Sequence, residues 1–209
     1  MADIDLELID PKNTAVLVVD MQNAYCSPTG SMVGFGYDVS PITKIVPDLN
    51  SFLDEVRNHH LPVIFTRMIE DEKYMSENAA KKMQANKFDA VSSPGSTNMD
   101  YFGVAPELGD LEIIKNSYDA FSNLELEKSL LNKHIKNLII VGVNMEVCVD
   151  TTLRSAYSRG YNVVVPRELV ATTKQNQDKI EWVMSVWDKF FAHIYDQRDI
   201  INSWKENEG

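Results

Sequence analysis

Three residues able to share one covalent chemistry close or follow three separate apolar runs. Asp20 ends TAVLVVD, Lys115 ends LEIIK, and Cys148 comes shortly after NLIIVG. A carboxylate can accept a thiol proton, an ammonium can offset the charge, and the thiolate is the nucleophile. Such a trio suits acyl transfer. Around Cys148, the branched run Asn137 to Val143 gives way to three- and four-residue spacing in Val149, Leu153, Ala156 and Tyr157. The change predicts a buried strand, then a helix ended by Gly160, with the thiol in the first helical turn. Unpaired N–H groups and the helix dipole favour a thiolate there. Taken singly, each residue has a plainer reading. Cys148 is as readily a small buried hydrophobe, Asp20 a turn former or cap, and Lys115 a snorkelling side chain. Their shared placement at the C-terminal ends of strands, where open α/β sheets bind ligands, sets them apart.

The elements that must position them alternate along the chain. Strands are predicted at Thr14–Asp20, Pro62–Thr66, Leu111–Lys115, Asn137–Val143, Asn162–Pro166 and Phe191–Tyr195. Ser40-Pro41 opens a helix that runs to about Arg57, with Pro47 demanding a kink or a later start. Asn123 caps a helix carrying Leu124, Leu126, Leu130 and Leu131. Thr172 or Thr173 caps another over Lys174–Phe190, and Asp199–Lys205 is a terminal helical turn. The segment at about 69–110 lacks a clean period, holds a helix within Lys73–Lys87, and reads as a lid or interface insertion. The alternation predicts an α/β fold: a doubly wound, mostly parallel six-stranded sheet with helices on both faces, in a single domain over 1–209. No glycine-rich phosphate loop follows any strand, so a nucleotide is not the obvious ligand.

Composition narrows the function. The net charge of −11 makes nucleic acid or an anionic membrane an unfavourable partner. No apolar stretch approaches the roughly 20 residues of a membrane span. The opening MADIDLELIDPKN is acidic rather than a basic-then-apolar leader. Cys26 and Cys148 are too few for a disulfide framework and not spaced as a metal site. A cytoplasmic protein without metal or cofactor is expected.

The stretches VVDMQNAYCSP, IIKNSYDAF and VGVNMEVCVDTTLRSAYSRGYNVVVP resemble the isochorismatase-like cysteine hydrolases, over Thr14 to about Thr173. The resemblance implies a catalytic triad of Asp20, Lys115 and Cys148. It also implies a cis peptide at Val143–Asn144 that aims the N–H groups of Asn144 and Cys148 into an oxyanion hole. The first motif is most similar to the ureidoacrylate amidohydrolase branch, including Tyr25, Cys26, Ser27 and Pro28, and Tyr118 matches a pocket position there. Met145 departs from the Thr common in the family, and Thr66-Arg67-Met68-Ile69 departs from the ureidoacrylate pattern. Nicotinamidases of this superfamily hold a metal near the second strand, but His59, His60, His134 and His193 lie elsewhere. Isochorismatases cleave a vinyl ether without needing a thiol, so Cys148 points to C–N hydrolysis.

The expected function is hydrolysis of a small linear amide or ureido compound by a homo-oligomer. The alternatives are an isochorismatase-type hydrolase of another small molecule, or a non-catalytic binding protein on the same fold. Asn23, Tyr25, Arg67, Tyr118 and Met145 are the expected substrate contacts. Arg67 has a guanidinium suited to gripping a substrate carboxylate; its plainer role is an ion pair with Glu70 or Asp71. Cys26 is expected in the pocket wall rather than as a redox partner of Cys148.

Overall fold

The computed structural model describes residues 4–71, 73, 75–85 and 91–206. Six strands form one all-parallel sheet: β1 Thr14–Val19, β2 Val63–Met68, β3 Leu111–Lys115, β4 Asn137–Gly142, β5 Asn162–Pro166 and β6 His193–Tyr195. Their spatial order is β3-β2-β1-β4-β5-β6. Strand order reverses between β1 and β4, and at such a reversal the crossovers diverge and leave a crevice beyond the strand ends. The register Val19↔Gly142 brings those two ends level.

Near-continuous apolar runs form β1 and β4 because both faces of the central strands are covered. Val16, Val18, Phe65, Ile139 and Val141 pack with Leu49, Phe52 and Val56 of helix α1 (Val46–Asn58) on one face. Ala15, Leu17, Val19, Ile113, Leu138 and Ile140 occupy the other face. There they meet α3 (Leu124–Asn132), α4 (Asp150–Ser158) and α5 (Ile180–Phe190). The short charged α2 (Glu77–Ala85) lies within the insertion, and α6 (Gln197–Glu206) returns to the α1 face through Ile200 and Trp204.

Several expected boundaries shift for local reasons. Ser40–Lys44 forms its own short helix and α1 begins at Val46, so Pro47 falls within a first turn, where it removes no hydrogen bond. Asn123 accepts from the Glu125 N–H, as a cap should. Thr173 stands at the cap position without a side-chain bond to the helix, and the Thr172 hydroxyl donates instead to Glu146 Oε1 at 2.7 Å. Residues 174–179 form a 3-10 stretch before α5 begins at Ile180. The second strand continues two residues past Thr66, to Met68.

The far half of the insertion is pinned to the loop after β1. Asn23 donates to Thr97 O at 2.9 Å, and buried Gln22 reaches Ser92 Oγ and Met68 O at 3.0 Å each. Of the helix expected within Lys73–Lys87, Glu77–Ala85 is helical, and 86–87 lie outside the described residues.

Candidate active site

Asp20, Lys115 and Cys148 come together on the C-terminal rim of the sheet, each delivered by its own strand. Lys115 ends β3 and reaches past β2 to place Nζ 2.7 Å from Asp20 Oδ2, with both side chains essentially inaccessible to solvent. Its hydrogen bonds run to the carbonyls of Ser117 (3.0 Å) and Tyr118 (3.3 Å), which aim the ammonium at the carboxylate. Thr66 of the intervening β2 donates to Asp20 Oδ1 at 2.6 Å and accepts the Asp20 N–H at 3.2 Å. Asp20 itself sits at φ 49°, a region most non-glycine residues avoid and Asp tolerates.

Cys148 is carried by a π-helical turn, Met145–Val149, inserted between β4 and α4. Val147 and Val149 N–H both donate to Asn144 O, at 3.0 and 3.2 Å, and Met145 N–H goes to Ala171 O. The peptide Val143–Asn144 is cis. Gly142 precedes it at φ 112°, where a Cβ would overlap the Val19 carbonyl. Only a glycine lets β4 pass so close to β1 at the point where both strands hand over to the site.

The thiol is not poised as a thiolate, contrary to what its place at a helix start predicts. Burial pushes Cys148 up, Lys115 opposes this, and the Asp20 charge, a thiol–carboxylate hydrogen bond and Glu70 add to the rise. The helix dipole acts on a group that the fold has removed from water, and desolvation dominates. Burial also acts to lower Lys115, but Asp20 and then Cys148 outweigh it and hold the ammonium above its ordinary range. The resting site is thus a buried ion pair with a neutral thiol beside its carboxylate.

Of the other expected contacts, Tyr25 and Tyr118 lie close. Both phenols are pushed up first by burial, then by Glu70 and Cys148 for Tyr25 and by Cys148 and Glu70 for Tyr118. Arg67 does not face the site. Strand alternation sends Thr66 toward Asp20 and Arg67 to the opposite face, where it pairs with Glu112 at 2.5 Å and lies over the Tyr101 ring. Its partner is neither Glu70 nor Asp71. Met145 is buried in the core with α3, α4 and α5, and Asn23 spends its amide on Thr97. Cys26 is a free thiol, fully buried on the α1 side of the sheet.

Sequence reasoning missed Thr66, Gln22 and Glu70. Glu70 is buried, and its Oε2 accepts from Val91 N–H and, at 3.2 Å, from Ser92 N–H. It helps line a cavity of about 680 Å³ together with Lys115 and Tyr118. A polar residue at the end of an apolar strand was the one available signal for Thr66; nothing local marks the other two. Among the described residues no group of three or more His, Cys, Asp or Glu side chains could hold a metal ion. No helix among them is long and apolar enough to cross a membrane.

This is a doubly wound α/β protein with a buried Asp–Lys pair and a cysteine at the topological switch point. The isochorismatase domain model matches residues 14–199. The ureidoacrylate amidohydrolase RutB of Caulobacter segnis is 32% identical over 167 residues, covering 73% of this chain and 70% of the relative. The chain belongs to the isochorismatase domain family. Among solved structures, a cysteine hydrolase from Pseudomonas syringae pv. phaseolicola superposes with a TM-score of 0.83 at 22% identity, covering 95% of each chain. N-carbamoylsarcosine amidase from Thermoplasma acidophilum gives 0.70 at 18%, over 88% of this chain and 96% of that one. These two likenesses concern the fold.

Proposed function

We propose that the protein hydrolyses a small linear amide or ureido compound through a thioester on Cys148. It is a hydrolase acting on carbon–nitrogen bonds other than peptide bonds. The observation that carries the mechanistic reading is that buried Cys148 stands on the same rim as the Asp20–Lys115 pair, whose charged atoms lie 2.7 Å apart.

In this reading Asp20 takes the Cys148 proton as Sγ bonds to the substrate carbonyl carbon. A neutral resting thiol fits a base that acts during attack. Charge gathers on the carbonyl oxygen, which rests on the N–H groups of Asn144 and Cys148. When the C–N bond breaks, Asp20 returns the proton to the departing amine. Water then adds to the thioester and gives its proton to Asp20; the C–S bond breaks and Cys148 is reprotonated. Lys115 keeps Asp20 oriented and offsets charge throughout. Tyr25 and Tyr118 form the wall that meets substrate.

Ammonia release from a panel of carbamoyl and amide compounds tests the reaction. Acid-quenched wild-type protein is expected to carry an acyl adduct on Cys148 by mass spectrometry. Cys148→Ala should lose turnover by about a thousandfold or more, since members of such a constellation act as a unit. An alanine variant with near-normal turnover would end the reading.

A further inference from the structure

The cavity beside Lys115 has polar walls whose groups are mostly committed to the protein. Asn116 Nδ2 donates to Ile69 O and Asn123 Nδ2 to Ile114 O, while Lys115 serves Asp20, Ser117 O and Tyr118 O. Lys82 also lines it, but from the exposed side of α2, where water screens its charge. Glu70 differs from all of these. It is only 7% exposed, and Oε2 holds the 91–92 backbone. Among the described residues its Oε1 accepts no hydrogen bond.

We propose that Glu70 is the specificity-determining group of this cavity. Its free Oε1 receives an amine or amide N–H on the substrate end remote from the scissile carbonyl, and its charge disfavours substrates whose remote end is a carboxylate. The assignment deepens the hydrolase reading and rests on it only for what happens at Cys148. Two facts support it. Arg67, the cation expected to select an acid, is turned away and paired with Glu112. Glu70 also shares one cavity wall with Lys115 and Tyr118, so a substrate entering there meets its carboxylate beside the Asp20–Lys115 pair. A largely buried carboxylate that lines a cavity is the kind of group that gathers at functional sites.

The test uses the whole protein and reads charge preference without turnover. Cys148 is alkylated at pH 8 with 2-bromoethylamine, iodoacetamide or iodoacetate, and rates are normalised to free cysteine. In each case Sγ bonds to carbon, halide leaves and the thiol proton is lost. Peptide mass spectrometry separates Cys148 from Cys26. In the wild type the normalised rate for the ammonium reagent should exceed that for iodoacetate by about tenfold. Glu70→Gln, which can still accept from Val91 and Ser92, should remove most of that ratio. Glu70→Asp, which keeps the charge, should hold it within about threefold of wild type. A wild-type ratio of one or below, a ratio unchanged in Glu70→Gln, or a Cys148 inert to all three reagents overturns the assignment. If Glu70→Gln does not fold, the wild-type and Glu70→Asp ratios decide. Failure of the hydrolase reading looks different: no ammonia from any compound, with the charge ratio intact.

Discussion

Asp20 shows how single residues build this site. Its two oxygens are addressed from different strands, Oδ1 by the Thr66 hydroxyl and Oδ2 by Lys115. Thr66→Val keeps the shape and removes the hydroxyl, leaving a buried acceptor without its donor. Stability should fall by about 1–3 kcal/mol in urea unfolding, and ammonia release should fall with it because the carboxylate is free to rotate. Unchanged turnover would mean that Lys115 alone orients Asp20. Glu70 supplies a pH test. Burial raises its carboxyl above the ordinary 4.5, so between that value and its higher folded value the native state binds more protons than the unfolded one. Wild-type stability therefore falls as pH rises through this window. Glu70→Gln lacks that loss. Relative to wild type, it should gain stability between pH 4 and pH 7.5, measured by urea midpoints at both. A difference that does not change with pH would show that Glu70 titrates as it does in water.

At the scale of elements, the hand-over from β4 to α4 is the decisive device. Gly142 brings β4 against β1, and the π-helical turn that follows carries Cys148. Such turns commonly occur at functional sites. Gly142→Ala combines a positive φ with overlap onto the Val19 carbonyl. It should cost at least about 2 kcal/mol, as strained backbone and overpacking together require, and a urea midpoint within error of wild type would refute that. The insertion contributes an element as well: α2 supplies Ala79 and Met83 to the wall of the cavity that Glu70 lines.

Across the whole molecule, the sheet places the site at one end of the strands, while closure of the chain ends happens elsewhere. Trp204 of α6 is buried against Phe52 and His59 and donates Nε1–H to Ile9 O at 2.8 Å, tying the last helix to the segment before β1. Trp204→Ala removes a large aromatic from a packed core and should lower stability by about 3–5 kcal/mol. Turnover at low temperature should persist, since no part of α6 lines the cavity beside Lys115. Parallel loss of turnover and stability in the folded variant would show that α6 supports the site after all.

The order of strands and helices, and the placement of Asp20, Lys115 and Cys148 at or just after strand ends, can be read from the residues without coordinates. Continuous apolar runs and helical spacing are local signals of burial, so they survive without coordinates. Tertiary structure alone decided which way side chains point at the rim and what their surroundings do to them. One strand boundary read at Thr66 rather than Met68 left Arg67 beyond the strand, where alternation no longer governs it; in the fold it faces Glu112. Met145 reads as pocket from its neighbourhood in the motif, yet the turn carries it into the core. Glu70 carries no periodic or motif signal, because its role depends on a cavity assembled from β2, α2 and β3. The thiol's proton depended on burial, which is a property of everything packed around Cys148. A helix start in the sequence predicts the dipole; only the packed structure sets the desolvation that outweighs it.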